Sequence, residues 1–218
     1  MTTSRRLVLG ISTAGPVEVA LSDDTTDIVR VGAGGALESL ASFVDETLAA
    51  ADATIKDLGL IGVCTGPGSF TGLRIGVAFA RTLAQSLELP IIGVSSYDVA
   101  SHDNASYPLI SVARGKKDYY YARVLLASDA EPCFVQGSRE LIGQVRGKLS
   151  TDDVEATIVG TDFTDRPAGD TARAVLHLAR AAFDRGLDAR WQSIGIDYGQ
   201  RPNAVLNWER RLKERPTN

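Results

Sequence analysis

The sequence predicts an α/β protein on three observations. The apolar run Leu60-Ile61-Gly62-Val63-Cys64-Thr65 passes through a Gly- and Pro-rich turn, Gly66 to Gly72, into a helical stretch from Leu73 to Leu87. Near the start, short apolar segments follow one another across polar turns too short to hold a helix. Stretches with apolar residues at helical spacing lie between and after these segments.

In chain order, Leu7 to Ile11 reads as a buried strand, with Ser12-Thr13-Ala14-Gly15-Pro16 as its turn. Val17 to Ser22 alternates and Ile28 to Val31 is a third strand, so the three form an antiparallel meander. Leu37, Leu40, Ala41, Val44 and Leu48 follow the spacing of an amphipathic helix. Thr54 is placed to cap a short helical turn containing Ile55 and Leu58. The run at 60–65 has no polar face, so it fits a strand covered on both sides. The helix after it must stop near Leu89, because Pro90 supplies no N–H and biases its predecessor away from the α region. A strand at Ile91 to Val94 and a short helix opened by Ser95 or Ser96 follow. This β-β-β-α-β-α-β order is that of the ribonuclease-H-like lobe of actin-like ATPases.

A partial repeat comes next. Strands at Tyr107 to Ala113 and Tyr119 to Leu126 flank the turn Arg114 to Asp118. Glu140 to Leu149 is a helix with Leu141, Val145 and Leu149 on one side, and Ile158 to Gly160 is a short strand. Thr171 to Arg185 is a helix with Ala172, Val175, Leu176, Ala179, Ala182 and Phe183 along one face, ended by Gly186. Tyr198 to Asn203 and a charged tail, Trp208 to Arg215, close the chain. The expectation is two tandem lobes, residues 1–100 and a smaller α/β lobe over 101–218, meeting near residues 96–106.

The helix from Leu73 carries a stripe of small residues, Gly72, Gly76, Ala80 and Ala84, one every four positions. Glycine within a helix costs roughly 1 kcal/mol relative to alanine, so something packs closely there. Either the chain's own core covers this face or another subunit does. Arg74 opposes the helix dipole in the first turn. It is read either as a local ion pair or as joining the amides of Gly68, Ser69 and Thr71 to hold an anion, a nucleotide or a partner carboxylate. The loop lacks the Gly-Lys-Ser/Thr of a P-loop, and Gly66, Gly68 and Gly72 do not have dinucleotide-fingerprint spacing.

Composition narrows the class. The 218 residues suffice for one substantial core or two small ones. A net charge of −4 leaves no electrostatic footprint for direct nucleic-acid binding. Two cysteines, Cys64 in a strand and Cys133 in a loop region, form neither a metal spacing nor a disulfide framework, as expected of a reducing compartment. The first apolar segment is too short for a signal sequence and no run reaches membrane-spanning length, so a cytoplasmic protein is expected.

As a string, Gly66-Pro67-Gly68-Ser69-Phe70-Thr71-Gly72-Leu73-Arg74-Ile75-Gly76 closely resembles the signature of the TsaB (YeaZ) family. Val77-Ala78-Phe79-Ala80-Arg81 and Pro90 to Ser96 continue the likeness, which is firm over the N-terminal half and loose beyond it. The resemblance implies an actin-like fold with a degenerate nucleotide site. It also implies an accessory role in making threonylcarbamoyladenosine in tRNA, beside the transferase TsaD and the ATPase TsaE. A homodimer would form in isolation, tRNA would be met only indirectly, and there would be no cofactor beyond ATP at a partner interface. On this reading Gly72, Leu73, Gly76, Val77, Ala80 and Ala84, with Leu40 and Val44 of the earlier helix, form the partner interface.

The sequence departs from its relatives where chemistry would sit. The His-x-x-x-His metal motif of TsaD is absent, and His177 stands alone at ligand spacing. Family members usually carry Asp-Thr-Ser at the end of the first strand, where this chain has Gly10-Ile11-Ser12, and often Asp-Ala-Arg in place of Val112-Ala113-Arg114. A magnesium–phosphate site needs such oxygen ligands. This disfavours the alternative of an actin-like ATPase or small-molecule kinase. A peptidase needs a nucleophile–base pair that cannot be drawn here. Tyr119 and Tyr121 would share one face of a strand and Tyr120 the other, as aromatic packing or as a stacking platform.

Overall fold

The computed structural model describes residues 7–199 apart from 24, 33, 34, 105, 161 and 164–169. The elements run β1 Leu7–Ser12, β2 Val17–Ser22, β3 Asp27–Gly32, α1 Ala36–Ala50, β4 Leu58–Gly66, α2 Phe70–Leu87, β5 Ile91–Ser95 and α3 Ser96–Ser101. There follow β6 Leu109–Arg114, β7 Tyr120–Leu125, β8 Cys133–Gly137, α4 Arg139–Leu149, β9 Thr157–Gly160 and α5 Asp170–Asp184.

The first sheet has the order β3-β2-β1-β4-β5. The meander β1–β2–β3 is antiparallel, and β4 and β5 add parallel to β1, as crossover helices require. Strand alternation sends Leu9 and Ile11 to one face and Val8 and Gly10 to the other. On the first face they meet Leu40, Val44 and Leu48 of α1 and Val77, Ala80 and Ala84 of α2. On the second face Val8, Ala20, Leu60 and Cys64 meet Ala172, Val175, Leu176 and Ala179 of α5. Both faces are covered, which explains why β1 and β4 are apolar at successive positions.

The second sheet has the order β8-β7-β6-β9, with β6–β7 and β7–β8 antiparallel and β6–β9 parallel. Its strands repeat the order and directions of β3-β2-β1-β4, and α4 follows β8 as α1 follows β3. Ile110, Val112, Tyr120, Ala122 and Val124 bury against Ile142 of α4. On the other face Ala100 of α3 packs with Leu109 and Val159. There an Arg123 guanidinium donates to Asp98 at 2.6 Å, tying α3 to β7.

Several expectations shift. Helix α2 begins at Phe70, because the Ser69 hydroxyl accepts from the Gly72 amide at 3.2 Å and opens the helix three residues before Leu73. It ends at Leu87, where Glu88 takes a left-handed φ of 53° two residues before Pro90. The Thr54 amide and hydroxyl donate to Asp57, so that short turn is capped as expected. Cys133 opens strand β8 and does not lie in a loop; β8 is a mostly exposed edge strand without an apolar alternation to announce it. On α4 it is Ile142, not Leu141, that faces the core. Leu37 and Phe183, expected on apolar faces, point outward. Helix α5, assigned by its position to the C-terminal lobe, packs on the first sheet. Among the described residues no helix is long and apolar enough to cross a membrane. The charged tail and Gln200 to Asn203 lie outside the described residues.

Candidate functional site

The signature loop is a packing device. Gly66 has φ +101°, a conformation that favours glycine, and its peptide bond to Pro67 is cis. The Ser69 amide donates to Ala14 O at 2.7 Å, which seats the β1–β2 turn on the N-terminus of α2. A Cβ added to Gly72 would lie 2.1 Å from Thr13 O, and one added to Gly76 would lie 2.1 Å from Thr13 Oγ1. The close packer that the small stripe demands is therefore the chain's own Thr13.

This corrects the expected interface. Gly72, Leu73, Gly76, Val77, Ala80 and Ala84 of α2 and Leu40 and Val44 of α1 are all buried within the single chain. They cannot be its outward surface. That surface is made by Leu37 and Ala41 of α1 and Phe70, Thr71, Arg74 and Ala78 of α2, all exposed, on two neighbouring helices of the same layer. Leu37 is 75% and Phe70 57% exposed, large values for apolar side chains.

The residues expected to hold an anion are placed differently from one another. Ser69 is the helix cap, with its amide and hydroxyl both committed within the chain. Gly68 lies against Ala14, within 2.7 Å of its carbonyl oxygen on adding a Cβ. Thr71 and Arg74 are exposed. Arg74 has no ion-pair partner among the described residues; its guanidinium lies 5.5 Å from the Phe70 ring centre, and that ring lies 4.9 Å from Tyr198.

Within β1, Gly10 stands beside Gly62 of β4 in register. Together they form a shallow channel that α5 fills. A Cβ on Gly10 would meet Ala172 O at 2.4 Å, and one on Gly62 would meet Ala179 Cβ at 2.7 Å. The position where the resemblance leads one to expect an aspartate is thus closed by a helix. The first turn of α5 is met by Glu18, a buried carboxylate that accepts the Ala172 amide at 3.0 Å. Sequence reading missed Glu18 because it is one polar position in an alternating strand. Beside it the buried Cys64 thiol lies 3.2 Å from Ser96 Oγ, and burial pushes the thiol pKa up. In the second sheet, Val112 is core and Arg114 pairs with Asp162 at 3.1 Å.

His177 Nε2 lies 3.0 Å from the carboxylate of Asp27 in β3, within hydrogen-bond distance. Among the described residues no three His, Cys, Asp or Glu side chains converge in a way that could hold a metal ion. Tyr120 turns to the α4 side and donates to Asp162 at 2.8 Å. Tyr119 and Tyr121 meet edge to face at 5.6 Å on the other side, as the strand period requires. There Tyr121 lines a cavity of about 320 Å³ with Tyr97, Phe134, Gln136, Asp197 and Gly199. No local pattern announces this cavity, since its walls come from α3, β7, β8 and a distant C-terminal segment.

A five-stranded sheet of this order, followed by a second sheet repeating its first four strands, defines a protein of the ribonuclease-H-like, actin-like kind. A family model described as TsaD, tRNA N6-adenosine threonylcarbamoyltransferase, matches residues 35–145, just over half of the chain. A Mycobacterium tuberculosis protein is 34% identical over 122 residues, 53% of this chain and 58% of its own length. The tRNA threonylcarbamoyladenosine biosynthesis protein TsaB of Bacillus subtilis is 41% identical over 70 residues, 30% of this chain and 31% of its own. The solved structure of YeaZ from Pseudomonas aeruginosa superposes with a TM-score of 0.67 at 19% identity, covering 88% of this chain and 99% of that one. The chain belongs to this family, in its TsaB (YeaZ) branch. It spans about half or less of the length of the curated relatives it matches.

Proposed function

We propose that this chain is a non-catalytic accessory subunit for synthesis of N6-threonylcarbamoyladenosine in tRNA, acting by binding and sustaining a TsaD-type transferase in the cytoplasm. The carrying observation is the outward surface of α1 and α2. Leu37 and Phe70 are exposed there, and Ala41 and Ala78 are small enough to let a second pair of helices approach. In the absence of the transferase, a second copy of the chain covers this surface. TsaE is the third member, tRNA is met only through the assembly, and any ATP sits at the partner interface.

The two sheets are read as tandem lobes divided near residue 100, with α5 crossing back from the second segment to the first. The nucleotide site between them is degenerate on this reading. Gly10 supports it, because an aspartate there would collide with Ala172. No observation favours a kinase, an ATPase or a peptidase.

The test is light scattering on a size-exclusion column, for the chain alone and mixed with the TsaD-type protein of the same organism. Ala78→Glu and Leu37→Asp should abolish the complex while leaving the unfolding midpoint unchanged, as surface substitutions do. A complex indifferent to both variants, or none with ATP and TsaE present, would overturn the proposal.

A further inference from the structure

We infer that the cleft bounded by Tyr97, Tyr121, Phe134, Gln136 and Asp197 is a binding site for a small organic cation, a guanidinium or primary ammonium group. This inference does not depend on the accessory role proposed above.

The walls are aromatic and close together. The rings of Tyr97 and Phe134 lie 5.7 Å apart at 53°, and Tyr121 also lines the cleft. Tyr97 is 5% and Tyr121 6% exposed, so both rings are packed into the wall of the cleft. The cavity, about 320 Å³, has the size of a small-ligand site.

The charge of the cleft selects the ligand. Asp197 stands at its rim, with one carboxylate oxygen accepting the Gly199 amide at 2.7 Å. No cation among the described residues pairs with it. Burial first, and then the Asp197 charge, pushes the Tyr97 hydroxyl pKa up, and Asp197 acts on Tyr121 in the same sense. Arg123 lies 5.6 Å over the Tyr97 ring, but Asp98 holds it at 2.6 Å. The cleft is therefore open to solvent, aromatic-lined and marked by one carboxylate that no cation among the described residues neutralises. It repels phosphate and attracts a cation, whose face lies against the rings while its N–H groups reach Asp197 and the phenol oxygens.

The test is isothermal titration of the full chain with L-arginine methyl ester, L-citrulline methyl ester as its uncharged isostere, adenosine and inorganic phosphate. The arginine ester is expected to bind saturably, and the citrulline ester at least about tenfold more weakly. Asp197→Asn and Phe134→Ala, both at exposed side chains, should each weaken the arginine ester by about tenfold with an unchanged unfolding midpoint. A tighter affinity for the peptide acetyl-Gly-Arg-Gly-amide would mark a protein side chain as the source of the cation, and a weaker one a free metabolite. Equal affinity for the two esters, binding of adenosine or phosphate alone, or indifference to Asp197→Asn would overturn the inference.

Discussion

Thr13 Oγ1 occupies a position only 2.1 Å from where Gly76 would carry a Cβ, and the Thr13 Cβ and Cγ2 stand 3.1 Å from the same point. The turn after β1 is locked to the middle of α2 by the absence of one methyl group. Replacing Gly76 by alanine removes about 1 kcal/mol of helix penalty but overpacks a site that costs about 1–3 kcal/mol to relax.

Gly76→Ala is accordingly expected to destabilise the chain by up to about 2 kcal/mol in urea unfolding, and Gly76→Leu to prevent stable folding. Thr13→Ala removes Oγ1 and Cγ2, so the double variant should be more stable than the sum of the two single losses predicts. Strict additivity in that cycle would show that the two residues do not define the fit.

Placing a carboxylate at position 10 of β1 should fail. In Gly10→Asp the new side chain meets Ala172 O, which is backbone and can move only if α5 lifts. A charge would also be placed on the face that already buries Glu18. A loss of about 3 kcal/mol or more is expected by denaturant unfolding. A stable Gly10→Asp chain that gains magnesium-dependent nucleotide binding would show instead that α5 is a removable cover.

Glu18 is expected to hold the first turn of α5 to the sheet. Glu18→Ala should cost about 1–2 kcal/mol, the scale of a lost helix cap. Glu18→Gln should cost less, because its amide oxygen still accepts from Ala172. Hydrogen exchange at the Ala172 amide is the readout; unchanged protection in Glu18→Ala would refute the capping role.

The two cysteines should separate cleanly by reactivity. Burial disfavours the Cys64 thiolate and raises its pKa, whereas Cys133 is exposed on the edge strand β8. Iodoacetamide at mildly alkaline pH is expected to alkylate Cys133 alone in the folded chain and both residues in urea, as mass spectrometry would resolve. Equal labelling of Cys64 without denaturant would contradict its place under α5.

What the sequence determined by itself was local. The strands at Leu7, Val17 and Leu60, the helices beginning near Leu37 and Thr171, and the Thr54 cap were legible because period and capping act over a few residues. The Gly66–Gly76 string was likewise legible as a sign of close packing and of family. What covers the Gly72–Gly76 stripe, why position 10 has no room for a side chain, and how Tyr97, Tyr121, Phe134 and Asp197 come to share one cleft were decided only in the tertiary structure. Each depends on a partner from a distant part of the chain: Thr13 on α2, Ala172 on β1, and the segment around Asp197 on the second sheet. A glycine announces that a neighbour is close, but the neighbour is chosen by the way the sheets and α5 assemble, and no spacing along the chain encodes that choice.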